Sequence, residues 1–200
     1  MVRAYDTFDT DTCIFACVRG RVSRCAQTWE QPEHDWAGLE GHNGDNDPLD
    51  IVDLSSVPVA SGSIIEVKVV GVLAMIDEGE VDWKVLVIQA TDPRAEQIHS
   101  LDDVETHFPG QIARVREWFT WYKAVDGKPG DGPLGSNRLE DKEPNVFGFD
   151  GKCLGSAEAK SVVDECHAAW KALRDPASGV SADGLKLGVP LDEQSLQMLC

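Results

Sequence analysis

The run from Ile64 to Ile76 constrains this chain more than any other feature. It is rich in β-branched residues and interrupted only by Gly71, which permits a bulge or a close backbone approach. A second such stretch, Trp83 to Ala90, follows Glu78-Gly79-Glu80-Val81, a segment able to turn. Two β-rich runs flanking a turn predict a hairpin. Past Gly71, residues Val72 to Ile76 are apolar on both faces. That strand should be buried on both sides, as in a small barrel covered by helices.

With 200 residues, 42% of them hydrophobic, the chain suits one domain with ragged ends at most. Asn43-Gly44 and Asp47-Pro48 punctuate a turn-rich segment ahead of a strand candidate, Ile51 to Leu54. Ser100 can cap a short helix carrying Asp102 and Asp103 in its first turn. Pro109 starts a longer one with Ile112, Val115, Phe119 and Tyr122 on one face, stopped by Gly127 and Pro129. Ser156 caps a last helix whose face is Val162, Val163, Cys166, Ala169, Trp170 and Leu173, and Asp175-Pro176 ends it. Residues 1–26 hold no helix or strand period for long. Residues 176–200 carry little core material and read as a loosely held tail. The expected domain is therefore 27–175.

Charge narrows the partners. Lys and Arg number 18 against 35 Asp and Glu, a net charge of −17. Such a chain repels nucleic-acid phosphates and suits divalent cations, or simply carries a solvated acidic surface. No apolar run approaches the ~20 residues that cross a bilayer, and no basic region followed by an apolar stretch marks a secretory signal. The expectation is a soluble chain with no membrane partner. The six cysteines form no C-x-x-C pair and read as free thiols of a reducing compartment.

Two acidic clusters stand out. The first is Gly44-Asp45-Asn46-Asp47-Pro48-Leu49-Asp50. Asp45 and Asp47 share a face in extended chain, and Pro48 bends the path so that Asp50 can return to it. The second is Asp77-Glu78-Gly79-Glu80-Val81-Asp82-Trp83-Lys84. In a hairpin, Asp77 and Asp82 would face each other across the mouth of the turn, with Lys84 on the strand face of Asp82. Five aspartates in one space require cations, and Mg2+ prefers such oxygen donors. Paired metals can hold the attacking and leaving oxygens of a phosphoryl transfer, and a neighbouring lysine suits a phosphate. An EF-hand fails, because Leu49, Asp50 and Ser56 fall where an oxygen ligand, glycine and glutamate are needed. A glycosidase pair would leave three aspartates unexplained. Two acidic surface turns remain the plain alternative.

At these residues the chain resembles the soluble family I inorganic pyrophosphatases. The first cluster looks like that family's signature. Ala74 to Lys84, Trp118-Phe119 with Tyr122-Lys123, Asp126-Gly127-Lys128-Pro129, Gln27-Thr28-Trp29-Glu30 and His167 to Trp170 resemble its eukaryotic branch. The resemblance runs from about Gln27 to Arg174. It implies an α+β fold: a small five-stranded OB-like barrel with packed helices, incomplete here at its first strands. It also implies Mg2+-dependent hydrolysis of pyrophosphate by in-line attack of a metal-activated water. Asp47 matches the general base, and Asp45, Asp50, Asp77 and Asp82 match metal ligands. Lys84, Tyr122 and Lys123 match phosphate-holding groups. A homodimer is common in that branch. Cytoplasm is the default location ahead of mitochondria, since Asp6, Asp9 and Asp11 argue against a transit peptide.

Upstream of Gln27 the chain departs from the family. The lysine, glutamate, arginine and two tyrosines that the family places there have no counterpart that aligns, although Arg19, Arg21 and Arg24 supply charge. An alternative reading follows: a catalytically weak or inactive truncated chain that binds Mg2+ or pairs with a full-length partner. The missing strands would also leave an open sheet edge.

Overall fold

The computed structural model describes residues 13–18, 21–22, 36–45, 49–60, 64–125, 144–174 and 177. Gln27-Thr28-Trp29-Glu30, Asp47, the 126–129 segment, Asp175-Pro176 and the tail from 178 onward lie outside the described residues. So do the side chains of Lys123, Trp170 and Leu173.

The hairpin predicted from the sequence is the centre of the fold. Strand β4 (Ile64–Asp77) pairs antiparallel with β5 (Glu80–Gln89), Asp77 opposite Glu80 and Leu73 opposite Lys84. Glu78 and Gly79 make the two-residue turn, both at positive φ (53° and 91°), the backbone that a tight hairpin needs. The second strand therefore starts three residues before the Trp83 of the sequence reading. The register shifts between Val69 and Gly71, so Val70 is the bulged residue. The close approach foreseen for Gly71 is realised, next to the bulge. A Cβ there would lie 2.7 Å from Leu101 Cδ2 and 2.8 Å from the Leu154 carbonyl oxygen. That carbonyl accepts from the Val72 N–H at 3.0 Å, and the Leu154 N–H donates back at 2.9 Å.

Four further strands complete the sheet among the described residues. The path runs β2 (Arg21–Val22), β1 (Cys13–Val18), β4, β5, β3 (Asp50–Asp53), and β6 (Val146–Phe147) pairs with the far end of β4. β3 lies parallel to β5, and the other pairings are antiparallel. This corrects one expectation: residues 13–18 do form a strand, covering the edge of β4 from Ile64 to Val67. The sheet is mixed and, among the described residues, not closed. Helices on both faces account for its being buried without closure. Alternation along β5 sends Val81, Trp83, Val85 and Val87 to one face, packed with Val162, Val163 and Cys166 of α3 (Ser156–Arg174). Leu86 and Ile88 point the other way, toward Val104 of α1 (Leu101–His107) and Val115 of α2 (Gln111–Val125). Residues 72–75 of β4 are accordingly buried, as predicted, whereas Ile76, expected to be buried with them, is half-buried.

The helix predictions hold with small shifts. Ser100 caps α1, its hydroxyl accepting from the Asp103 N–H at 3.2 Å. α2 begins two residues after Pro109, and Ser156 is the first residue of α3 rather than its cap. No helix among the described residues is long and apolar enough to cross a membrane. Burial pushes the Cys153 thiol up to about 12. Behind β3, the buried Asp92 accepts from Arg94, whose guanidinium also donates to Ser56 and lies over the Phe108 ring. That guanidinium holds the Asp92 carboxyl down at about 2.

Candidate functional site: a lysine between carboxylates at the end of the sheet

Parallel pairing sets Asp50 of β3 directly beside Lys84 of β5. The Lys84 ammonium donates to Asp50 Oδ2 at 2.7 Å and to Asp82 Oδ2, two residues before it on the same face. The Lys84 side chain is 1% exposed, against 9% for Asp82 and 35% for Asp50. Removing an ammonium from water is costly, and such burial is sustained only by paired charge. The Phe119 ring of α2 lies 5.0 Å from the same ammonium, a cation–π contact that shields it from that side.

The other predicted residues are positioned by different routes. Asp77 sits across from Glu80, and Asp82 across from Met75, so the two aspartates are diagonal neighbours on one face. This corrects the expectation that they face each other directly, because the turn is two residues long. Asp45 arrives through backbone pairing. Gly44 bridges to Val81, and the Val81 N–H donates to the Asn43 carbonyl at 2.7 Å. Tyr122 stacks on Trp118 (centroids 5.1 Å apart) and meets Phe119 edge-on at 5.5 Å, so it reaches Lys84 through Phe119. Asp47 and the Lys123 side chain lie outside the described residues.

Three participants carried no separable signal in the sequence. Phe119 could be read only as one apolar residue of a helix face or one letter of a motif. His42 ties the loop before the first cluster to the hairpin, its Nδ1 2.8 Å from the Gly79 carbonyl oxygen. Asn145 bonds α2 to β4 from a loop with no periodicity to read. Only its nearness to Pro144 marks that loop.

The donor set decides what cation the site suits. Asp45, Asp50, Asp77 and Asp82 offer carboxylate oxygens, the hard donors that divalent Mg2+-like ions take. Two of the four, Asp50 and Asp82, also accept from the Lys84 ammonium. The residues fit such an ion by chemistry. Among the described residues no three His, Cys, Asp or Glu side chains converge closely enough to hold it by themselves.

The chain resembles known proteins over most of its length. A family model described as inorganic pyrophosphatase matches residues 24–171. The "Soluble inorganic pyrophosphatase 1, chloroplastic" of Chlamydomonas reinhardtii is 44% identical over 157 residues, covering 78% of this chain and 51% of that protein. The inorganic pyrophosphatase of Debaryomyces hansenii is 38% identical over 85% of this chain and 52% of its own length. The chain thus spans about half the length of the curated relatives it matches. Among solved structures, the type I enzyme from Toxoplasma gondii superposes with a TM-score of 0.61 at 39% identity, covering 74% of this chain and 58% of that one. The Schistosoma japonicum inorganic pyrophosphatase gives 0.66 at 28% identity, over 86% and 70% respectively. By the span of the family match and by these likenesses, the chain belongs to the inorganic pyrophosphatase family.

Proposed function

We propose that this chain hydrolyses inorganic pyrophosphate to two orthophosphates with Mg2+ as its metal. The observation that carries the reading is the buried Lys84 ammonium held by Asp50 and Asp82, within two stretches that resemble the family. Asp45, Asp50, Asp77 and Asp82 would hold the metal. A divalent ion bound there acidifies water and offsets phosphate charge.

The chain's own residues account for the rest. Asp47 accepts a proton from the attacking water as that oxygen bonds to one phosphorus. The bond from this phosphorus to the bridging oxygen breaks, and the bridging oxygen leaves with the second phosphate. One water is consumed and two phosphates form. Lys84 has three N–H donors, of which two are directed to Asp50 and Asp82. This reading assigns the third to a phosphate oxygen, where it offsets charge on the leaving group. Tyr122 and Lys123 hold phosphate from α2. Burial under Phe119 keeps the Lys84 ammonium aimed without a shell of water.

The reading extends to the rest of the chain. Residues 27–175 form the catalytic unit, flanked by 1–26 and 176–200, and the unit acts as a cytoplasmic homodimer. The net charge of −17 supports the absence of a nucleic-acid partner. Phosphorus-31 NMR tests the reaction. With millimolar Mg2+ the pyrophosphate resonance should give way to orthophosphate, and EDTA should stop the conversion. A persistent pyrophosphate signal with folded protein and Mg2+ would refute the proposal.

A further inference from the structure

One side chain joins α2 to the sheet at the level of the acidic site. Asn145 Nδ2 donates to the Phe119 carbonyl at 2.9 Å and lies 3.6 Å from Met75 Sδ, a weak acceptor. The Asn145 backbone N–H donates to the next carbonyl, that of Thr120, at 3.1 Å. Met75 is the cross-strand partner of Asp82. One residue therefore spans the gap between the strand that pairs with Asp82 and the helix that carries Tyr122 and Lys123. The orientation of the amide follows from its partners, since a reversed amide would set its oxygen against the Phe119 carbonyl oxygen.

The two carbonyls are those which, in an α-helix, accept from residues 123 and 124. A carbonyl oxygen has two acceptor sites, so Asn145 adds a second bond at each and fastens that turn from outside. Phe119 itself has its ring 5.0 Å from Lys84 Nζ and 5.5 Å from the Tyr122 ring. Movement of this turn would carry Tyr122, Lys123 and the cover over Lys84 together. We infer that Asn145 is a positioning residue for phosphate binding, setting the distance between the α2 turn and the carboxylate–lysine pair. The inference rests on the hydrolysis reading above, and it adds to that reading a residue that touches neither metal nor substrate.

The test uses the whole 200-residue chain and the variant Asn145→Ala, which removes the side-chain bonds and keeps the backbone one. The KM for magnesium pyrophosphate should rise about tenfold, with kcat within about threefold. Amide exchange at residues 122–124 should quicken about tenfold. Mg2+ affinity without substrate, by calorimetry, should stay within about twofold, because the carboxylates of β3 and β5 are untouched. A merely structural role would lower the active fraction, and so kcat, while leaving KM in place. An unchanged KM, or unchanged exchange at 122–124, would overturn the inference and leave the hydrolysis reading standing. Should Asn145→Ala not fold, Asn145→Ser is measured in the same way. If wild type itself does not turn over pyrophosphate, the hydrolysis reading alone falls. The inference is then decided by exchange and by calorimetric affinity for inorganic phosphate, expected about tenfold weaker in the variant. Equal affinities would overturn it.

Discussion

Lys84 is where stability and chemistry meet at the scale of the residue. Its ammonium is buried only because Asp50 and Asp82 neutralise it. Lys84→Met should therefore cost about 2–4 kcal/mol in urea unfolding, at the lower side of the usual range because Asp50 is partly in water. In Lys84→Met combined with Asp82→Asn the loss should be smaller than the sum of the two, since one change removes what strains the other. A loss well under 1 kcal/mol for Lys84→Met would show that the pair contributes nothing net. Asp92 gives a pH-dependent counterpart away from the site. Its folded pKa of about 2 lies below the ordinary 3.8, so its contribution is present above pH 4 and disappears as pH falls toward 2. Asp92→Asn should destabilise by about 1–2 kcal/mol at pH 7, and the gap from wild type should close near pH 2. A gap constant across that range would contradict the assignment. The sequence made Lys84 legible because it stands two residues from Asp82 in a predicted strand. It could not show that two carboxylates hold the ammonium, since that depends on β3 lying parallel to β5.

Elements fix these residues through the hairpin and what crosses it. Gly71 lets Leu101 of α1 and the Leu154 backbone approach β4 closely. Gly71→Ala should destabilise by about 1–3 kcal/mol by chemical denaturation. Adding Leu101→Ala should recover little, because the Leu154 carbonyl is tied to Val72 and cannot retreat. Full recovery would mean that the flexible leucine alone had been in the way. Glycine inside a β-branched run announced this close approach in the sequence. Hairpin, α1 and α3 were readable for the same reason: local pattern and turn chemistry agree with the tertiary arrangement there. β1 was not readable, for the Cys13–Val18 run is short and its neighbours carry no supporting period. Its partner, the Ile64–Val67 end of β4, is distant in sequence. The two-residue turn was missed by a small margin, and that margin changed Asp77 from a facing residue into a diagonal neighbour of Asp82.

At the scale of the whole molecule, the described strands form a mixed sheet, not closed among the described residues, whose faces are covered by α1 and α2 on one side and α3 on the other. An unbroken apolar run in a strand reports that both faces are buried but not whether a helix or the sheet's own curvature buries them, so closure was beyond the reach of periodicity. The acidic excess, in contrast, was legible from composition, and Asp50, Asp77 and Asp82 place part of it on β3 and the hairpin. It predicts that Mg2+ raises the unfolding temperature by several degrees at a large excess over its Kd, through binding to the folded chain alone. EDTA should reverse the rise, and no change on adding Mg2+ would argue that the carboxylates hold no metal. We propose that pyrophosphate hydrolysis by this chain depends on Asp47 together with the carboxylates paired to Lys84. The most direct test is phosphate release from pyrophosphate by the folded 200-residue protein at millimolar Mg2+, beside an equally folded Asp47→Asn variant. Turnover that falls at least about 100-fold in the variant is the predicted result. Equal rates in the two proteins, or no release by a well-folded wild type, would contradict it.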